Sequence, residues 1–226
     1  MPVMKARGRA VWSGGVSALL GRRMARLARL LAAAAVAVAA LGVTASSALA
    51  YGSPLPCAGR TEAPVFAPWG DDSSYFLIPN GGFETRAMNW SLRGGASVVT
   101  GNEPWHVHSW RDGHDLQLSP GSSAESRTMC IGMGVSGLRM FVKGVSAGSA
   151  ILHVDAIVQD PSNGWVGTAA FDVNGGSPIW APTILIELPR LFNGIGQESL
   201  TIRLTERGSA ATWLVDDVYL DPFKSW

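Results

Sequence analysis

The sequence predicts an all-β protein, an antiparallel two-sheet β-sandwich, on three observations. Residues 51–222 contain 22 Gly and 12 Pro, so any extended segment is soon interrupted by a turn-former. The longest stretch free of both, Ser209 to Asp221, is rich in β-branched and aromatic residues and reads as strand, which leaves little room for helix anywhere. Several segments alternate apolar and polar side chains. That period of two marks antiparallel strands with one wet face, and two such sheets must bury their apolar faces against each other.

An export segment comes first. Residues 1–50 carry seven Lys and Arg and no Asp or Glu. Arg26 and Arg29 precede an uncharged apolar run from Leu30 to Val43, and Ala48-Leu49-Ala50 is a small-x-small cleavage site. This is the pattern of a secretory signal peptide, and the run of 14 is too short for a transmembrane helix. A retained membrane anchor is the alternative. Fifty residues exceed the usual ~15–30, whereas a start at Met24 gives 27, so Met24 is the expected start. The mature protein is expected outside the cell with no membrane span.

Residues 51–70 form an N-terminal segment and 71–226 the sandwich domain. The mature chain has two cysteines, Cys57 and Cys130. In an exported domain these read as one disulfide tying the segment to the body, with two buried free thiols as the alternative. The bond would close a loop of 74 residues and stabilise by about 4 kcal/mol on the chain-entropy account.

Strands are expected at Tyr75–Ile78, Ala96–Thr100, Asp115–Ser119, Ala124–Ile131, Gly137–Lys143, Ser149–Val158, Trp165–Val173, Thr183–Leu188, Ser199–Arg207 and Ala211–Leu220. Parity within them predicts a core of Leu138, Met140, Val142, Leu152, Val154, Ile184, Ile186, Leu200, Ile202, Leu204, Leu214 and Val218. The same parity puts Asp216 on the face of Leu214, Val218 and Leu220, where a carboxylate is costly unless paired or metal-bound.

Residues 51–226 carry a formal net charge of −6, which argues against a nucleic-acid partner, since that needs a basic footprint. Neighbouring acids such as Asp216-Asp217 would point to opposite faces of a strand, so no paired-carboxylate hydrolase set emerges. Gly132, Gly134 and Gly137 have dinucleotide-loop spacing, but a strand-rich run follows instead of a helix.

Asn80-Gly81-Gly82-Phe83-Glu84 followed by Trp90, Trp180 before a late strand, and the closing Trp213-Leu214-Val215-Asp216-Asp217-Val218-Tyr219-Leu220 together carry a resemblance. Over residues 75–222 the chain resembles the carbohydrate-binding modules of cellulases and xylanases. It also resembles a group of small exported actinobacterial proteins of unassigned function. The modules are galactose-binding-like jelly-roll sandwiches, so the resemblance implies that fold and a non-catalytic role in binding extracellular polysaccharide or cell-envelope glycan. It further implies a structural Ca²⁺ held by Glu84, Asp216 and the Gly82 carbonyl, a hard-oxygen set suited to that ion. The alternative is that Glu84 accepts backbone N–H bonds and Asp216 caps a turn.

Two other constellations bear on function. His106, His108 and Asp112 lie close together, and His-x-His on a strand would set both imidazoles on one face, a geometry usable by zinc or iron. That makes a metal-dependent enzyme the rival reading, a polar loop with solvated histidines the plain one, and a structural envelope protein without ligand a third. Trp105, Trp110 and Trp165 sit in polar or Gly/Pro-rich surroundings and are expected to be exposed, available for sugar stacking. Arg139, Lys143, His153, Asp155, Arg203 and Thr205 all point away from the apolar side of their strands. If those strands share a sheet, they line one surface around Phe141, a candidate ligand face; an ordinary solvated face is the alternative.

Overall fold

A computed structural model describes residues 60–131, 135–145, 150–160, 164–175, 177–188, 198–208 and 211–222, all within the compact unit Tyr51–Trp226. The export segment and Cys57, and with Cys57 the expected disulfide, lie outside them. Among the described residues thirteen strands appear in chain order: β1 (Phe76–Leu77), β2 (Trp90–Arg93), β3 (Ser97–Thr100), β4 (His114–Leu118), β5 (Ser123–Ser126), β6 (Met129–Cys130), β7 (Gly137–Gly144), β8 (Ile151–Gln159), β9 (Val166–Asn174), β10 (Ala181–Pro182), β11 (Ile186–Glu187), β12 (Ser199–Glu206) and β13 (Trp213–Asp221).

They form two antiparallel sheets, a β-sandwich of jelly-roll type. One runs β10-β7-β13-β4-β3, with β1 also on β13 and β11 also on β7; the other runs β2-β5-β12-β8-β9, with β6 also on β12. Between them lies the main core. Leu138, Met140 and Val142 of β7 face Leu152 and Val154 of β8 and Leu200, Ile202 and Leu204 of β12, all buried as alternation requires. Each such side chain contributes about 1.5–3 kcal/mol over an exposed one.

Departures from the expected strands have local causes. The segment 124–131 breaks at Arg127 and Thr128 into β5 and β6. The segment 183–188 is not one strand. Thr183 bonds Met140 with both its backbone N–H and its hydroxyl oxygen, which takes the Met140 N–H from the ladder. Regular alternation stops there, and Ile184 is 84% exposed instead of core. Strand β2 was not anticipated; a series of turns, with positive φ at Asn80, Phe83, Arg86 and Asn89, leads into it.

The last strand changes phase. Its register against β7 shifts between Asp216 and Tyr219, and Asp217 has φ 48°. This is a β-bulge, which adds one residue to one side of the ladder. Trp213 and Val215 before it, and Val218 and Leu220 after it, all reach the core, while Leu214 and Tyr219 pack on the opposite face. Leu214 is therefore not a core residue, and Asp216 does not share a face with Val218.

A second apolar layer covers the outer face of the seven-stranded sheet. The chain bridges Ala63 to Tyr75, turns through a short 3₁₀ segment at Ala67–Trp69, and lays Phe66, Tyr75 and Trp180 over Phe141 and Tyr219. Phe66 stacks on Phe141 at 5.4 Å, and Phe141 is fully buried. The expected ligand face around Phe141 does not exist for that reason, and for a second one. Arg139, Phe141 and Lys143 belong to β7 of one sheet, whereas His153 and Asp155 on β8 and Arg203 on β12 belong to the other. Since both sheets turn their apolar sides inward, these two groups look out from opposite faces. His153 is itself buried and paired with Asp155 and Asp172, and Arg203 Nε donates to Glu125.

Candidate functional site

The turn that opens the domain positions everything else. Asn80 donates through Nδ2 to the carbonyls of Arg86 and Met88 and accepts the Thr85 N–H at Oδ1, while Trp90 Nε1 donates to the Asn80 carbonyl. Phe83 and Trp90, ring centroids 5.1 Å apart, anchor the turn in the core. The Gly81 carbonyl accepts the Val218 N–H of the β13 bulge, the Val218 carbonyl accepts the Ile78 N–H, and a Cβ at Gly81 would fall 2.7 Å from that carbonyl oxygen. A Cβ at Gly82 would fall 2.9 Å from Asp217 Oδ1. At Gly81 the backbone approaches the bulge too closely for a side chain, whereas a side chain at Gly82 would have to displace the Asp217 carboxylate.

Loop 101–113, between β3 and β4, lies over the bulge. No strand forms at His106–His108, contrary to expectation, and His106 has φ 50°. The loop is held by carboxylates. Glu103, fully buried, accepts the N–H groups of Trp105 and Val107. Its own N–H donates to Asp216 Oδ2 at 3.3 Å, and that of His108 to Asp217 Oδ2 at 3.2 Å. Glu84 accepts the N–H groups of Gly113 and His114 at Oε1 and pairs with His114 Nδ1 at Oε2. At the base Gly101 N–H bonds the Gly113 carbonyl, and a Cβ at Gly101 would collide with Asp115 Oδ2.

Four carboxylates, Glu103, Asp115, Asp216 and Asp217, are buried in this region. Burial, reinforced by its neighbours Asp217 and Asp115, pushes the Asp216 carboxyl far above the usual range. Burial likewise raises Asp217 to about 7, with Glu103 and Asp112 adding to the rise and His108 opposing it. Asp115 rises to about 6 for the same leading cause, against a hydrogen bond with Asp216 and the charge of Lys143. Asp217 Oδ1 and Asp115 Oδ1 are buried with no hydrogen-bond partner.

Gly82 lies against Asp216 and Asp217, and both Glu84 oxygens carry hydrogen bonds from Gly113 and His114. Among the described residues, the group placed to hold a metal is His108, Asp112 and Asp217, whose ligand atoms lie within 4.8 Å of one another. His108 Nδ1 is 2.7 Å from Asp112 Oδ2. His106 does not join; its Nδ1 pairs with Asn102. The His106/His108/Asp112 triad of the enzyme reading is therefore not assembled. Residues taken from two separate sequence expectations, the closing strand and the histidine cluster, meet in one place. Asp217 itself was missed because ordinary strand parity sends it away from Asp216. Two adjacent acids inside an otherwise apolar strand were the available signal of a bulge.

The loop also carries aromatics. Trp105 and Trp110 are 45% and 75% exposed, and Trp165, on the β8–β9 turn, 44%. Trp105 stands edge-on to Trp69 at 4.9 Å, and with His106, Val107, Pro64 and Pro68 these line a cleft of about 540 Å³. The Arg111 guanidinium lies over the Trp110 ring. Trp69 was not singled out in the sequence, because it lies in a segment with no strand pattern.

No protein-family model matches the chain, and no curated protein matches it in sequence. Solved structures with a similar chain path are mostly carbohydrate-binding modules. TmCBM61 in complex with β-1,4-galactotriose has 16% identity and a TM-score of 0.39, covering 66% of this chain and 98% of that one. The CBM22-1–GH10 modules of Clostridium thermocellum xylanase 10B with xylohexaose have 14% identity and a TM-score of 0.45, covering 65% of this chain and 28% of that one. The family 11 module of Clostridium thermocellum with a β-1,3-1,4-mixed-linked tetrasaccharide has 16% identity and a TM-score of 0.40, covering 65% and 94%. The likeness is one of chain path, and the fold assignment stands on the two sheets themselves.

Proposed function

We propose that the protein is an exported, non-catalytic binding module for extracellular polysaccharide or a cell-envelope glycan, with its site on loop 101–113. The observation that carries this reading is the way the loop is fixed. Buried carboxylates hold its backbone N–H groups, so Trp105 is presented beside Trp69 at a set angle with little conformational freedom left to lose on binding. Indole faces at an open cleft suit pyranose rings, and His106 supplies a polar group beside them. The test is a glycan array followed by titration of the best hit. Trp105→Ala should weaken binding at least tenfold, on the order of 1.4 kcal/mol, with an unchanged melting temperature. An array with no hits would favour a structural envelope protein without a ligand.

The same reading includes a structural divalent cation beneath the loop. The residues fit one: Asp217 Oδ1 is buried without a hydrogen-bond partner, Gly82 puts no side chain in its way, and the ligand atoms of His108, Asp112 and Asp217 lie within 4.8 Å of one another. The oxygen donors suit calcium, while His108 would complete a set for a softer ion. Metal analysis of the purified protein distinguishes the two.

A further inference from the structure

Loop 101–113 is tied more firmly at its base than at its crown. At the base Gly113 and His114 donate to Glu84 at 2.8 and 2.9 Å, and Gly101 donates to the Gly113 carbonyl at 3.0 Å. At the crown the bonds to β13, Glu103 N–H to Asp216 and His108 N–H to Asp217, are 3.3 and 3.2 Å long, at the weak end of the ordinary range. We infer that a divalent cation held by His108, Asp112 and Asp217 closes this crown and thereby controls the Trp105 cleft, so that cation and glycan bind with positive coupling, given the glycan site proposed above.

The ligands span the gap between loop and strand. His108 and Asp112 belong to the loop and Asp217 to the β13 bulge, and their ligand atoms lie within 4.8 Å of one another. Beneath the loop, carboxylate oxygens converge where Gly82 has no side chain. A Cβ there would fall 2.9 Å from Asp217 Oδ1 and 3.9 Å from both Asp112 Oδ2 and Asp216 Oδ1. Asp217 is 1% exposed, and its Oδ1 has no hydrogen-bond partner. Carboxylates this close repel when ionised, and a cation turns that repulsion into a bridge. Solvent reaches the site along His108, whose side chain is 43% exposed. Trp105 lies between Glu103 and His108, the two residues whose N–H groups dock the crown, so the docking sets its edge contact with Trp69. A cation that joins loop to strand would remove in advance the freedom that glycan binding otherwise has to remove, and that is a coupling between the two sites.

The experiment compares the mature protein in EDTA, in calcium chloride and in zinc chloride by backbone ¹⁵N relaxation. In EDTA the N–H groups of Trp105, Val107 and His108 should show clear mobility. One of the two ions should bring them to the order parameter of rigid backbone, about 0.85, while β8 and β12 keep their values throughout. That pattern separates docking of the loop from a general gain in stability. For the best hit of the glycan array, affinity should fall at least tenfold in EDTA, and by linkage the glycan should tighten cation binding by the same factor. D217N keeps an oxygen for the His108 N–H, and Asn suits the positive φ at this position, so folding should be kept. It should lower cation affinity at least tenfold and hold glycan affinity at the value seen in EDTA. Failure of both ions to bind, or a loop that relaxes like β8 and β12 already in EDTA, would overturn the inference. Equal glycan affinity with and without cation would overturn the coupling and leave the glycan site standing, whereas an array without a hit would overturn both.

Discussion

Two carboxylate clusters on the outer face of the seven-stranded sheet meet opposite fates. Around Asp71, burial pushes the carboxyl up, but hydrogen bonds from Tyr75, Ser73 and Arg139 outweigh it and hold the group below its usual range. Arg139 Nη1 lies 2.6 Å from Asp71 Oδ2, with its guanidinium over the Phe66 ring and its Nε on the Thr183 carbonyl. Around the β13 bulge, Asp115, Asp216 and Asp217 are all pushed up, burial being the leading cause. The first site carries its own cation in the chain. The second has hydrogen-bond donors enough to shape a loop but not enough positive charge to balance it. Burial is common to both; what differs is whether a guanidinium was built in.

The comparison breaks most visibly under chelation. If a divalent cation completes the bulge site, EDTA at pH 8 should destabilise by about 3 kcal/mol relative to calcium at about 100 times its dissociation constant. For a domain of this size that is roughly 6–12 °C in melting temperature. Identical melting curves with and without calcium would remove the cation from the account. The converse experiment at the first site is R139M. It leaves Asp71 without its charged partner and should cost about 2 kcal/mol whether or not EDTA is present. A loss seen only in EDTA would mean that the two sites are coupled.

A smaller effect sharpens the contrast through pH. In EDTA the folded bulge site holds protons that the unfolded chain releases above its ordinary value of 3.8, since Asp115 sits at about 6 and Asp217 at about 7. Stability should therefore fall as pH rises from about 4 to about 7. Asp71 acts with the opposite sign: its depressed pKa adds stability above 3.8 that is lost as pH falls through the lower folded value. Urea midpoints across pH should show both limbs. D216N should flatten the upper one and D71N the lower, and a D216N profile parallel to the parent would contradict the assignment.

The sandwich was legible where alternation ran unbroken. Segments such as 199–207 and 149–158 produced β12 and β8 with the expected residues inward. It failed where one residue altered the phase or took over a ladder bond, as at Asp217 and Thr183, because parity counting has no term for either. The candidate site was half legible. Gly82, Asp216, His108, Asp112 and Trp105 were all named, but in three unrelated groups, since only the bulge and the loop base bring them to one place. The face around Phe141 was misread because sheet membership is not written in alternation. Nor did the polar, turn-rich segment 60–75 announce that its aromatics would cover that face.

The anchoring of loop 101–113 has a consequence for how such a protein can diversify. The bonds that fix it to β13 and Glu84 use the backbone N–H groups of Glu103, His108, Gly113 and His114, and Trp105 and Val107 are fixed in the same way by Glu103. Every residue but proline offers that group. Positions such as Trp105 and Trp110 are therefore decoupled from the loop's conformation, provided Glu103, Gly101 and the acids beneath are kept. New side chains can be written there without redrawing the backbone. The domain is in that sense a holder for an exchangeable recognition surface, and selection or a combinatorial library would find most of its tolerated variation at those positions.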